Sequence, residues 1–263
     1  MIRDFDAYFS HMRENHKDND ERMMGEKSPC SFCCEFTKDD IDNPDFEEGD
    51  WKEFWRLSKE NYPLHSVYGG VSGNSPEVII ESEENEIKKH LDMMGLRPKR
   101  GMRVLEIGYG FGGAGLYLIK KHVDYTGIDY VSSNKDLQKD RFLEIDRSGI
   151  PEDIMNGEKF DLIYSYNVFQ HLTQAQRFEY IRQARELLKD DGVFFFSVFE
   201  RIPGQGLRDN YSTTFFNVHT KVDEPGELQT YLNYRIGFDF EHSTKKICYE
   251  TNDAIYICRK QRK

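Results

Sequence analysis

The feature that most constrains this chain is an apolar segment that runs directly into closely spaced glycines. Residues 102–107 read Met-Arg-Val-Leu-Glu-Ile, which has the composition of a buried strand. The glycines that follow it are Gly108, Gly110, Gly112 and Gly113. Glycine adopts the left-handed backbone conformations of tight turns and lets the backbone come close to a ligand. Because a helical pattern resumes at Gly113, this segment predicts a strand, a ligand-binding turn and a helix in succession.

From residue 82 onward, strand-like and helix-like segments alternate along the chain, which is typical of an α/β domain with a mainly parallel sheet. The predicted strands cover residues 102–107, 125–128, 142–145, 160–165, 193–199, 238–245 and 254–259. The predicted helices cover residues 83–94, 113–121, 136–141, 174–188 and 227–234. We therefore expect one α/β domain at residues 82–263, closed by a hairpin of its last two strands.

Residues 1–81 lack this alternation, and we interpret them as a mostly helical extension. A helix is predicted at residues 50–62, where both tryptophans share one apolar face with a phenylalanine. A turn-rich connector then leads into the main domain. Two interpretations remain open at this point. The extension either packs passively on the main domain or caps the active site. If it is a cap, we expect Tyr68 to bind the substrate.

Charge and hydropathy limit the classes of partner. The 263 residues carry a formal net charge of −11, from 36 Lys and Arg against 47 Asp and Glu, so the field of the protein disfavours nucleic acid as a partner. The apolar stretches are much shorter than the roughly 20 residues that cross a bilayer. The first residues also lack the apolar run of an export signal. We expect a cytoplasmic protein that acts on a small molecule, and the sequence does not indicate an oligomeric state.

The cysteines give no sign of a disulfide framework or a metal centre. Their number is odd, five in all, and no export signal precedes them. Cys30 and Cys33 form a CxxC motif with Cys34 beside it, but no second cysteine or histidine pair follows at the spacing of a zinc site. We therefore expect no bound metal, while structural zinc and thiol chemistry remain as less favoured alternatives.

The glycines alone leave two kinds of cofactor open. Their spacing also satisfies the G-x-G-x-x-G pattern of dinucleotide-binding domains. The acidic residues around them favour the other kind, because Glu106 lies two residues before the first glycine and Asp129 closes the second predicted strand. This segment resembles the first motif of the class I S-adenosylmethionine-dependent methyltransferases. Further similarity at residues 160–172 and 187–193 extends the resemblance over nearly the whole of residues 82–263.

The resemblance implies a fold and a set of cofactor contacts. The fold is a Rossmann-like, doubly wound, mainly parallel sheet of seven strands whose last strand is antiparallel. Asp129 would accept hydrogen bonds from both ribose hydroxyls, which suits an ionised carboxylate because it is only an acceptor. Glu106 would organise the glycine turn and the methionine end of S-adenosylmethionine, and Asp146 would contact the adenine. The full set of expected cofactor residues is Glu106, Gly108, Tyr109, Gly110, Gly112, Asp129, Tyr130, Asp146 and Asn167.

The methyl acceptor is expected beyond the fourth predicted strand, at the edge where such sheets bind ligands. His171 is the best candidate for a general base, because histidine titrates near neutral pH; a loop-stabilising or substrate-lining role is the alternative. The expected substrate-binding residues are Tyr68, Tyr166, Tyr211 and His219, although Tyr211 and His219 equally suit a surface loop. No N-P-P-Y motif follows the fourth strand, which argues against amino-methylation of DNA.

Two functions from different classes follow. The favoured one is methylation of a small molecule, such as an oxygen of a sugar, of a nucleotide-linked intermediate or of a secondary metabolite. Methyl transfer from a sulfonium mainly requires alignment of the acceptor and exclusion of water. The alternative is a non-catalytic S-adenosylmethionine-binding module that regulates a partner protein through the amino-terminal region.

Overall fold

A computed structural model describes residue 56 and residues 76–132, 134, 136–201, 222–223, 225–246 and 251–262. Its strands are β1 Arg103–Ile107, β2 Asp124–Asp129, β3 Phe142–Glu144, β4 Phe160–Ser165, β5 Leu188–Arg201, β6 Val222–Asp223, β7 Phe238–Lys246 and β8 Thr251–Lys260. Its helices are α1 Pro76–Met94, α2 Gly113–Lys120, α3 Glu152–Met155, α4 Gln174–Leu187 and α5 Pro225–Thr230, with a 3-10 turn at Phe169–His171 and a π-helical turn at Tyr231–Ile236.

The strands form one sheet in the order β3-β2-β1-β4-β5-β8-β7, and the short β6 pairs with the end of β5. Strands β1 to β5 are parallel, whereas β8 runs antiparallel to both of its neighbours. The chain thus winds from β1 outward to β3 and then returns to the other side of β1 at β4. This reversal is the place where doubly wound sheets bind their ligands. The predicted sheet of seven strands with an antiparallel last strand is confirmed, and β6 is an addition to it.

Helices cover both faces of the sheet, so its central strands are buried on both sides. One apolar layer joins α1 and α2 to side chains such as Val104 and Phe195. The other joins α4 and α5 to side chains such as Leu105 and Phe196. No helix among the described residues combines the length and apolar character needed to cross a membrane. Because β1 to β5 are parallel, their carboxyl ends lie at one edge of the sheet.

Several elements differ from the predictions. Residues 136–141 were predicted as a helix but form successive turns, because a segment this short gains too few hydrogen bonds to offset the cost of helix nucleation. Helix α1 begins at Pro76 rather than at residue 83, since proline is favourable in a first helical turn, and it runs across the predicted boundary between residues 81 and 82. Helix α3 was not predicted. The predicted helix at 50–62 and the cysteines at 30, 33, 34 and 248 lie outside the described residues, whereas Cys258 is buried.

Candidate functional site

The glycine turn between β1 and α2 adopts the conformation that its composition predicts. Gly108, Gly110 and Gly112 have φ angles of 76°, 56° and 84°, in the left-handed region that favours glycine. The turn also lies against the exit of β4, since a Cβ atom on Gly108 would come within 2.2 Å of Cγ2 of Val168. The amide of Gly108 donates to the carbonyl of Ile128 at 2.7 Å, which ties the turn to β2. Both the backbone angles and the close approach therefore require glycine here.

Asp129 holds this turn from the end of β2. Its Oδ2 atom accepts a hydrogen bond from the amide of Gly110 at 3.0 Å, and its Oδ1 atom lies 3.5 Å from the amide of Val131. A carboxylate has about four lone-pair sites, so it can accept further hydrogen bonds from a ligand in addition to this contact. Asp129 thus lies where the sequence predicted an acid, beside the glycine turn and partly buried.

Glu83 on α1 holds the same turn from the other side. Its Oε1 atom accepts from the amide of Phe111 at 3.0 Å, and its Oε2 atom accepts from the amide of Gly113 at 2.6 Å. The Glu83 residue is only 5% exposed. Glu83 was not among the site residues predicted from the sequence, although one signal was available. Glu83 lies four residues from Ile79 and from Ile87, so it is an acid within the apolar face of a helix.

Glu106 lies buried on β1, directly before the turn. Its Oε2 atom accepts a hydrogen bond from the Tyr125 hydroxyl at 2.6 Å. Burial raises the pKa of the Glu106 carboxyl to about 8, and the negative charges of Glu83 and Asp129 act in the same direction, whereas the Tyr125 hydrogen bond opposes the shift. The carboxyl is therefore largely protonated at neutral pH. Protonation limits the charge repulsion among the three acids that surround the turn.

The other expected cofactor residues near β2 and β3 occupy different environments. The Tyr109 side chain is 2% exposed and packs edge-on against Phe142, with ring centroids 5.2 Å apart, so its ring belongs to the core. The Tyr130 hydroxyl forms a hydrogen bond with the hydroxyl of Ser148. Asp146 is exposed and follows β3 at the same edge as Asp129. Of these three residues, Tyr109 is therefore in the core, and Tyr130 and Asp146 have side chains outside it at this edge of the sheet.

The exit of β4 brings a group of polar residues to this edge. Asn167 has a φ of 58°, which asparagine tolerates better than most residues, and its backbone N–H donates to the Ser197 hydroxyl at 2.9 Å. The Gln170 amide group lies 3.5 Å from the Asn167 side-chain oxygen. His171 ends the 3-10 turn and is 8% exposed. Thr173 then starts α4 with a capping box, which fixes the far end of this segment.

Tyr166 contacts α1 through a buried histidine, His90, which was not predicted from the sequence as a site residue. The His90 ring is fully buried, and its centroid lies 4.5 Å from that of Tyr166 in an edge-on arrangement. Its Nδ1 atom lies 2.9 Å from the Tyr164 hydroxyl, and its Nε2 atom lies 3.5 Å from the Glu86 carboxylate. Burial lowers the pKa of His90 to about 3, with Lys89 adding to the effect. The imidazole is therefore neutral and acts in packing and hydrogen bonding.

A separate polar cluster, formed by Glu200, His242 and Tyr256, lies at the carboxyl end of β5, on the face of the sheet opposite to α1. Glu200 is 1% exposed and accepts hydrogen bonds from the Tyr256 hydroxyl and, at 2.9 Å, from Nε2 of His242. The His242 Nδ1 atom lies 3.4 Å from the side-chain nitrogen Nε2 of Gln229. Both ring nitrogens of His242 thus have neighbours, so this group joins β5, β7 and β8 to α5.

The structure therefore brings together most of the expected cofactor residues but describes only part of the acceptor side. The glycine turn, Glu106 and Asp129 form one group, and Tyr166, Asn167 and His171 form a second group at the adjacent exit of β4. Tyr68, Tyr211 and His219 lie outside the described residues. Within the described ranges, no cluster of three or more histidine, cysteine or acidic side chains could hold a metal ion.

Comparisons of sequence agree with this arrangement. A family model described as a methyltransferase domain matches residues 80–243. The ubiquinone biosynthesis O-methyltransferase of Azorhizobium caulinodans is 25% identical to the chain over 155 residues, which make up 57% of this chain and 58% of that protein. The chain thus spans less than two thirds of the length of this curated relative.

Solved structures share the fold. A phosphoethanolamine N-methyltransferase 2 of Haemonchus contortus, in complex with phosphomonomethylethanolamine and S-adenosylhomocysteine, superposes with a TM-score of 0.58 at 14% identity, covering 82% of this chain and 60% of that one. An S-adenosylmethionine-dependent methyltransferase of Clostridium acetobutylicum superposes with a TM-score of 0.51 at 14% identity, covering 81% of this chain and 99% of that one. At these identities the similarity establishes the common fold.

Proposed function

We propose that this chain, which belongs to the class I S-adenosylmethionine-dependent methyltransferases, transfers the methyl group of its cofactor to a small-molecule acceptor. The predicted family and the predicted cofactor, S-adenosylmethionine, are confirmed by the family match, and the predicted fold by the sheet topology. The observation that carries the proposal is the contact between the glycine turn and the exit of β4. Because Gly108 lies against Val168, a methyl donor bound on the turn would be next to Asn167 and His171.

The residues at the turn fit the cofactor. Asp129 would accept the ribose hydroxyls while it keeps its hydrogen bond to Gly110, and the left-handed glycines leave the backbone open to the ligand. Tyr130 and Asp146, at the ends of β2 and β3, would lie on the adenine side. When bound, S-adenosylmethionine supplies an electrophilic methyl group. The chain has to orient the acceptor toward that methyl and exclude water.

We propose an oxygen atom of a small molecule as the methyl acceptor, such as a sugar, a nucleotide-linked intermediate or a secondary metabolite. The sequence similarity to a ubiquinone biosynthesis O-methyltransferase supports oxygen, and the net charge of −11 supports a small molecule over a nucleic acid. His171 would remove the proton of the acceptor hydroxyl. Tyr166 would line the acceptor pocket, with Tyr68, Tyr211 and His219 as further candidates and residues 1–81 as a cap.

This proposal predicts turnover that depends on His171. The protein is incubated with S-adenosylmethionine and a panel of hydroxylated small molecules, and mass spectrometry identifies acceptors that gain one methyl group. On such an acceptor, His171→Ala should lower kcat by roughly a hundredfold or more, the usual contribution of a general base. Its affinity for S-adenosylhomocysteine should change little. His122→Asn, at an exposed turn away from this edge, serves as the control and should retain full activity.

Full activity of His171→Ala would contradict the role of His171 as a base. If the wild-type protein binds the cofactor but methylates nothing in a broad panel, the result favours the alternative of a non-catalytic cofactor-binding module. Methylation of amine acceptors alone would contradict the choice of oxygen.

A further inference from the structure

We propose that Glu83 is a positioning residue for the cofactor, which fixes the glycine turn in its binding conformation from helix α1. This inference rests on the cofactor assignment made above, and it concerns a residue outside the motif that carries the family resemblance. Glu83 lies 28 and 30 positions before the two residues of the turn whose amides it binds. Its carboxylate nevertheless makes two of the hydrogen bonds that hold the turn at the start of α2.

The contacts of Glu83 engage both of its oxygens. Gly113 is the first residue of α2, and its amide is one of the initial N–H groups that have no partner within the helix, whereas Phe111 lies in the turn just before the helix. Glu83 satisfies them at 3.0 Å and 2.6 Å from a buried position. An anion at the amino end of a helix is also favoured by the helix dipole. Buried amides that lost this carboxylate would have to rearrange or find other acceptors, since leaving them unpaired is unfavourable.

The packing of α1 against α2 keeps the Glu83 carboxylate in register with these amides. A Cβ atom on Gly113 would lie 2.2 Å from the carbonyl oxygen of Ile80 and 2.7 Å from Cβ of Glu83. The backbones of the two helices therefore touch at this point, and only glycine allows it. Because the contact is this close, Glu83 holds the turn through short, direct hydrogen bonds and not through a flexible surface interaction.

Glu83 and Asp129 together fix most of the turn before a ligand arrives. Asp129 holds the amide of Gly110 from β2, Glu83 holds those of Phe111 and Gly113 from α1, and the amide of Gly112 donates to the carbonyl of Tyr109 at 2.8 Å. A turn that is already ordered loses less conformational entropy when it binds. The expected consequence of removing Glu83 is a looser turn and weaker cofactor binding.

The same contacts bear on the choice between the two kinds of cofactor. In dinucleotide-binding folds the amino end of the helix after the glycine turn accepts a pyrophosphate. Here the Glu83 carboxylate already occupies the first amide of the helix, that of Gly113, together with the amide of Phe111 in the turn, and its negative charge opposes a phosphate. Glu83 therefore favours a cofactor that has no phosphate groups, such as S-adenosylmethionine.

The experiment compares three variants of the full chain. Glu83→Ala removes both acceptors, Glu83→Gln keeps one acceptor oxygen of similar placement, and Glu81→Ala removes an exposed acid from the same helix as the control. Affinity for S-adenosylhomocysteine is measured by calorimetry. Hydrogen exchange of the apo protein is followed by mass spectrometry in a peptide covering residues 108–116 and in one covering α4.

Glu83→Ala should weaken S-adenosylhomocysteine binding by roughly tenfold, because the turn loses two hydrogen bonds and binding must then supply part of the free energy that orders it. Exchange should rise in the turn peptide and stay unchanged in α4. Glu83→Gln should restore part of both properties, and Glu81→Ala should match the wild type.

Wild-type affinity and exchange in Glu83→Ala would overturn the proposal. Faster exchange in both peptides would also overturn it, because that result indicates general destabilisation and not loosening of the turn. If the wild-type protein does not bind S-adenosylhomocysteine, the cofactor assignment fails. The exchange measurement on the apo protein still tests whether Glu83 holds the turn.

Discussion

Changing Gly108 to alanine is expected to lower the free energy of unfolding by about 2–5 kcal/mol and to abolish measurable binding of S-adenosylmethionine. The left-handed backbone at this position costs a non-glycine residue about 1–2 kcal/mol. The new Cβ atom would also lie 2.2 Å from Cγ2 of Val168, and relief of such overpacking typically costs about 1–3 kcal/mol. The turn or the β4 exit must then move, and both belong to the proposed binding edge. Urea denaturation and calorimetric titration measure the two effects.

Gly101→Ala is the matched control for this prediction. Gly101 has a φ of 78°, close to the 76° of Gly108, but a Cβ atom on it would have no neighbour within 4 Å. It precedes β1 at the opposite end of the strand from the turn. The control should therefore show the cost of the backbone conformation alone and bind the cofactor normally. Equal losses of affinity in the two variants would show that contact with Val168 is not the reason for glycine at position 108.

Asp129→Ala is expected to weaken binding of S-adenosylmethionine and S-adenosylhomocysteine by roughly a hundredfold. Two hydrogen bonds from ribose hydroxyls to a charged group are worth about 3 kcal/mol or more together, and a factor of ten in affinity corresponds to about 1.4 kcal/mol. The amide of Gly110 loses its acceptor in the same variant, which loosens the turn further. Calorimetric titration of both ligands measures the change.

Asp124→Ala is the control, because Asp124 begins the same strand that Asp129 ends. The Asp124 side chain is 52% exposed and forms surface ion pairs with Arg103 and Arg141. Exposed ion pairs contribute little to stability, so this variant should fold and bind as the wild type does. Unchanged ligand affinity in Asp129→Ala would mean that the ribose is held elsewhere.

The parts of the fold that the sequence predicted well are those whose pattern is local. The β4 strand was predicted at its observed bounds because it is short, apolar and bounded by a turn on each side. The glycine turn was equally clear, since only glycine meets its backbone angles. The doubly wound, mainly parallel sheet with an antiparallel last strand followed from the family resemblance, which carried information that the residue pattern alone lacks.

The parts that were missed depend on contacts between segments distant in sequence. Strand β5 begins at Leu188, five residues before the prediction, because its pairing with β4 shifts register between Phe160 and Leu162. No local pattern encodes such a shift. Glu83 and His90 were missed because the role of a polar residue within an apolar helical face can be predicted only when its hydrogen-bond partner is known. In both cases the partner, the glycine turn or Tyr164, belongs to a different element.

The most direct test of the cofactor site is a calorimetric titration of the wild-type protein with S-adenosylmethionine, S-adenosylhomocysteine and a nicotinamide dinucleotide, with melting temperatures measured alongside. We predict that both sulfur compounds bind at one site per chain and raise the melting temperature, because a ligand at a hundred times its Kd stabilises the folded state by about 2.7 kcal/mol. The nicotinamide dinucleotide should not bind. Binding of the nicotinamide dinucleotide without any response to the sulfur compounds would contradict the account.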